Sequence, residues 1–126
     1  MPVGNELGSY EGTFTSVRTV EIHGEERVIE GTYMAKASGQ LSGTVSGTMT
    51  FSGTNERGTI SSLGVGYLDS GEALTSKGQG VYWADGSGQW QIRAAFMLPE
   101  QMIVGEGQIT LSGGVFSMGG KIFELT

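Results

Sequence analysis

No stretch of this chain sustains apolar residues at helical spacing for three turns. Apolar and polar residues instead alternate with a period of two along its length, rich in Val, Ile, Thr, Phe and Tyr and broken by short Gly-containing turns. Eight strands are expected, roughly over 8–22, 27–39, 43–53, 58–68, 76–83, 88–97, 102–111 and 115–124. His23-Gly24-Glu25-Glu26, Thr54-Asn55-Glu56-Arg57, Ala84-Asp85-Gly86-Ser87 and Ser112-Gly113-Gly114 are turn material, and Asp85-Gly86 is the dipeptide of a tight hairpin. Links this short preclude parallel crossovers, so neighbouring strands pair antiparallel. A meander of eight strands would leave two long edges open to association unless it closed. The expected fold is therefore all-β: one domain over residues 1–126, an eight-stranded antiparallel up-and-down barrel.

Composition agrees and excludes several functions. The 126 residues contain 23 Gly and 2 Pro, below the share that marks a disordered low-complexity chain, and 37% are hydrophobic. The Ser-Gly pairs between Ser38 and Gly53 do not recur later, which argues for turns and curved strands over a solenoid. With no Cys and a single His, His23, there is no disulfide framework, no thiolate or two-His metal site and no conventional catalytic triad within the chain. The expectation is no metal and no cofactor. A net charge of −6 repels phosphate, so neither nucleic acid nor an anionic membrane is an expected partner. The N-terminus lacks the basic and apolar regions of a signal peptide, and no apolar run is long enough for a membrane helix; a cytoplasmic location is expected.

Register sorts the faces. A symmetric loop at Pro99-Glu100 sets Phe96 opposite Ile103, Ala94 opposite Gly105, Ile92 opposite Gly107 and Trp90 opposite Ile109, an apolar face; the reverse face pairs Arg93 with Glu106 and looks solvated. The same parity carries Phe116, Met118 and Ile122 inward through Ser112-Gly113. Through a two-residue Asp85-Gly86 turn it carries Val81, Trp83, Gln79 and Lys77 inward. The Gly24-Glu25 hairpin pairs Val20 with Ile29, Arg18 with Gly31 and Phe14 with Ala35, and strand three contributes Val45, Gly47, Met49 and Phe51. Small inward positions such as Gly12, Gly31 and Gly107 leave room for a cavity, unless Trp83 and Trp90 fill it.

The successive Gly-rich hairpins, with Gly78-Gln79-Gly80-Val81-Tyr82-Trp83 and Val104-Gly105-Glu106-Gly107-Gln108-Ile109-Thr110-Leu111-Ser112-Gly113-Gly114, resemble small calycin-type barrels of the allene oxide cyclase and dirigent sort. The similarity covers the last half of the chain in pattern and transfers no catalytic residue. It implies a hydrophobic small molecule bound in the barrel, cofactor-free isomerisation, cyclisation or coupling, and frequent oligomers.

The candidate site follows from the inward face. An inward Arg18 on an apolar strand needs an anionic partner, because an unpaired buried charge is costly. With Tyr33 and Gln79 as donors, Arg18 is the candidate catalytic group, and Phe14, Met49, Phe51, Trp83, Trp90 and Phe96 line the ligand site. A bend near Ser16-Val17 would instead turn Arg18 to solvent. The loop Leu68–Thr75 is a candidate lid, with Asp69 or Glu72 at the entrance; Tyr10 is a further phenolic donor, and Glu106 is expected to pair with Arg93 on the surface. The expected function is a cofactor-independent isomerase, cyclase or lyase acting on an apolar carbonyl compound. A non-catalytic carrier of such a ligand is the alternative, and a structural assembly domain the third. Val17, Met34, Met97 and Val104 on the outer face leave room for a homo-oligomer.

Overall fold

The computed structural model describes residues 3–125, so that Met1, Pro2 and Thr126 lie outside the described residues. Eight strands follow in order: β1 (Val3–His23), β2 (Glu26–Gly39), β3 (Gly43–Gly53), β4 (Arg57–Leu68), β5 (Ala73–Ala84), β6 (Gln89–Met97), β7 (Met102–Ser112) and β8 (Val115–Leu125). Each pairs antiparallel with the next, and β8 returns to β1 to close the barrel. The chain is all-β and a single domain, as the alternation implies, and among the described residues no helix is long and apolar enough to cross a membrane.

The β6–β7 register matches the pattern, with Trp90 facing Ile109 and Phe96 facing Ile103; across the β7–β8 turn, which falls at Gly113-Gly114, the parity holds and Ile109 faces Met118. Two other registers differ. In β1, bulges after Phe14 and after Thr19 leave Thr15 and Val20 unmatched, so Phe14 pairs with Tyr33 and Arg18 with Glu30. The Thr15 hydroxyl meets the Thr32 side chain at 3.2 Å and gives the first bulge a polar anchor. Between β5 and β6, Ala84 faces Trp90, because the connection runs through Gly86, Ser87 and Gly88 with Asp85 N–H bonded to the Gln89 carbonyl at 2.9 Å. Gly88 adopts φ +69°, a left-handed conformation that lets the strands rejoin. One extra residue reverses every side chain of β5. Tyr82 and Gly80 therefore face inward, and Val81, Trp83, Gln79 and Lys77 face outward.

Inside, aromatic rings lie over glycines on neighbouring strands. A Cβ at Gly31 would stand 2.7 Å from the Phe14 ring, one at Gly78 2.5 Å from Phe96, and one at Gly58 2.6 Å from Tyr82. Much of the glycine content thus makes seats for inward rings, in addition to permitting curvature. Tyr33, Phe14, Phe51 and Tyr82 run edge to face across the waist at centroid separations of 6.1, 6.1 and 5.9 Å. Tyr33, Met49, Ile60, Ile92, Ile109 and Met118 complete the buried centre.

Candidate functional site

The packed waist divides the lumen into two cavities. At the end that carries the β1–β2, β3–β4, β5–β6 and β7–β8 turns lies one of about 310 Å³. Its floor includes Phe14, Phe51 and Tyr82, and its walls include Ile29, Trp90 and Phe116. At the other end a cavity of about 130 Å³ sits among Ala94, Ile103 and Ile122, with Tyr10 and Tyr33 in its wall.

The larger cavity contains one charged side chain, Arg27. It stands on β2 two residues before Ile29 and four before Gly31, so the alternation that buries those residues turns Arg27 the same way. Its Nη2 donates to Asn55 Oδ1 at 3.0 Å. Among the described residues no carboxylate pairs with it; the four ion pairs use Arg18, His23, Arg93 and Lys121. Asn55 belongs to the β3–β4 turn, which two lumenal side chains hold to the mouth. Trp90 Nε1 donates to the Asn55 carbonyl at 2.9 Å, and the Tyr82 hydroxyl donates to the Thr54 carbonyl at 2.6 Å. The closing segment is thus this turn. The Leu68–Thr75 stretch lies at the opposite end, where Leu68 and Leu74 line the smaller cavity and Asp69 is tied to Ser42.

The sequence-derived site residues fall into three groups. Phe14, Phe51 and Trp90 line the Arg27 cavity; Tyr33, Met49 and Phe96 line the opposite one. Arg18, Gln79 and Trp83 lie outside the barrel. Arg18 is exposed and reaches Glu30 at 3.2 Å on the outer wall, because the bulge at Thr15 reverses the face of β1. Gln79 and Trp83 are exposed because of the longer β5–β6 turn. The Arg93–Glu106 pair forms on the surface at 3.2 Å, as the register implies. Val104 is buried, while Met34 and Met97 are exposed on the outer wall and Val17 lines the Arg27 cavity. Arg27 went unassigned because it adjoins a turn; its period-two relation to Ile29 was the signal that could have found it.

Neither cavity is lined by a carboxylate or a histidine. Among the described residues no group of three or more His, Asp or Glu stands close enough to hold a metal. Besides Arg27, the titratable groups that line the two cavities are phenols. Burial pushes Tyr10 up to about 12, with the Glu106 charge and then Tyr33 adding to it. Burial also raises Tyr33, opposed by the neighbouring Ser62 hydroxyl, and raises Tyr82, opposed by the Arg27 charge. All three are proton donors at neutral pH, and none is a base.

No family model matches the chain, and no curated protein matches it. Among solved structures, a crystal structure of a protein of unknown function from Clostridium acetobutylicum is similar over 100% of both chains at 12% identity, with a TM-score of 0.56. At that identity the likeness shows the fold, and the fold it shows is this closed barrel.

Proposed function

We propose that the protein is a binding barrel for an apolar small molecule that carries an anionic or strongly polar oxygen. The apolar body occupies the larger cavity and the oxygen meets Arg27. The observation that carries this reading is the guanidinium itself, set in an apolar wall with a neutral amide as its partner. A charge taken partly out of water is stabilised most by an opposite charge, and the planar guanidinium matches a carboxylate in a way that one amide oxygen does not. Asn55 Oδ1 marks where that ligand oxygen sits. The polar hydrogens of Trp90 and Tyr82 are committed to backbone carbonyls, which leaves their ring faces to the ligand body.

The reading favours a carrier over a catalyst because the lumen has donors and no base. Cofactor-free isomerisation or cyclisation, as in the barrels the sequence resembles, is the second reading. What favours it is the placement of the Arg27 guanidinium on an apolar cavity, where it would stabilise oxygen charge that develops during reaction.

A Trp83→Phe background leaves Trp90 as the only indole, and its emission then reports ligand entry. Decanoate should shift that emission saturably. Arg27→Gln should weaken binding about tenfold or more, the worth of a charge-assisted hydrogen bond, while Arg18→Gln leaves it unchanged. Equal affinity in the Arg27→Gln protein, or no saturable shift with any apolar acid or ketone, defeats the proposal. Chemical conversion of a bound carbonyl compound would favour the second reading.

A further inference from the structure

We infer that the opposite end of the barrel is a second, independent binding site, suited to a compact neutral molecule with an apolar body and one hydrogen-bond-accepting oxygen, such as a cyclic ketone. The cavity there shares no wall residue with the Arg27 cavity, and the edge-to-face contacts of Tyr33 with Phe14 and of Phe51 with Tyr82 belong to the layer that separates the two. Its mouth is framed by Leu41, Leu68, Leu74 and Leu98, all half-buried. Two of the connections at that end are tied together: Ser42 Oγ donates to Asp69 Oδ2 at 2.8 Å, and Asp69 N–H donates to the Ser42 carbonyl at 3.0 Å. The opening is therefore held in shape by its own turns.

Size and wall chemistry select the ligand. Apolar cavities of about 150 Å³ stay dry and take up molecules the size of benzene, and this one measures about 130 Å³ with no charged residue in its wall. An anion here would be an uncompensated buried charge, so the occupant is neutral.

Hydroxyls at the inner end supply polarity that the protein leaves underused. Tyr33 is 4% exposed and lines the cavity, with the Ser62 hydroxyl beside it. Tyr10 donates to the Glu106 carbonyl at 3.4 Å, long for an O–H donor. Tyr33 stands in the cavity wall, where its hydroxyl can donate to a ligand carbonyl or ether oxygen. Burial keeps both phenols protonated, so the donors persist across the physiological pH range.

The test is an NMR titration of the full chain with cyclohexanone, and with cyclohexane as the oxygen-free control. Both should produce saturable shifts at Ala94, Ile103 and Met118 and leave Ile29 and Ile109 in place. Tyr33→Phe should weaken cyclohexanone about three- to tenfold and leave cyclohexane unchanged, as loss of one neutral hydrogen bond requires. Ser76→Leu, which fills the wall, should abolish both; Ser76→Val should weaken both if the larger substitution does not fold. Arg27→Gln should alter neither, so the outcome is separable from that of the Arg27 cavity. Shifts that do not saturate, shifts centred on Ile29 and Ile109, or a Tyr33→Phe protein that binds cyclohexanone as well as the parent would overturn the inference.

Discussion

Tyr82, rising from β5 inside the barrel, lays its ring over Gly58 and donates its hydroxyl to the Thr54 carbonyl at 2.6 Å. One side chain thereby joins the waist to the turn that covers the larger cavity. Tyr82→Phe should cost about 1–3 kcal/mol, because the part-buried carbonyl loses its partner while the packing survives. Gly58→Ala should cost at least as much, since the new Cβ would press on the Ser52 carbonyl and lie 2.6 Å from the Tyr82 ring and hydroxyl. Denaturant unfolding with unchanged m-values checks both, and a Gly58→Ala protein of parental stability would contradict the ring-seat account.

The two tryptophans should behave as opposites. Trp90 packs inside against Phe116 with its indole bonded to Asn55, and Trp90→Ala should cost about 3–5 kcal/mol. Trp83 stands on the outer wall, 44% exposed, and Trp83→Ala should stay within about 1 kcal/mol. Comparable losses at the two positions would place β5 in the wrong register.

Alkaline pH should unfold the barrel through its phenols. Tyr10 has its pKa raised by burial to about 12 and Tyr33 and Tyr82 are also raised, so the folded state holds protons that the unfolded chain releases first. Their contribution is complete below the unfolded value of 10.0 and is lost as pH climbs through about 12. Tyr10 alone supplies about 2–3 kcal/mol to that loss. Unfolding free energies measured from pH 9 upward should fall, and Tyr10→Phe should flatten the decline. A stability that rises over that interval would refute the assignment.

Arg18 and Glu30 should be nearly silent. Both are solvated across β1 and β2, and exposed pairs of this kind contribute about 1 kcal/mol or less. Arg18→Met should leave unfolding midpoints and ligand affinity close to the parent values. A large loss of affinity would return Arg18 to the lumen, against the bulge at Thr15.

The β5–β6 turn should hold the register. Gly88→Ala places a Cβ at φ +69° and 3.2 Å from the Leu111 carbonyl, which should cost about 1–2 kcal/mol. Deleting Ser87 would leave the two-residue turn that the Asp85-Gly86 dipeptide suggests, and would force Trp83 and Gln79 inward in place of Tyr82. That chain should lose cooperative unfolding.

Period-two alternation and short turns determined by themselves that the chain is all-β, antiparallel and closed, because the sheet has no other way to bury one face and hide its edges. They also determined the β6–β7 register and the inward faces of β6 to β8, where two-residue turns let parity run unbroken from Trp90 to Ile122. Only the tertiary structure decided where parity breaks. The bulges at Thr15 and Val20 and the extra residue at Gly88 each insert a single position, and a single position exchanges the inner and outer faces of a strand. Alternation records which residues share a face and carries no mark of where the chain gains a residue against its neighbour. For that reason the lumenal guanidinium is Arg27 on a strand whose parity holds, and Arg18, beyond a bulge, faces water.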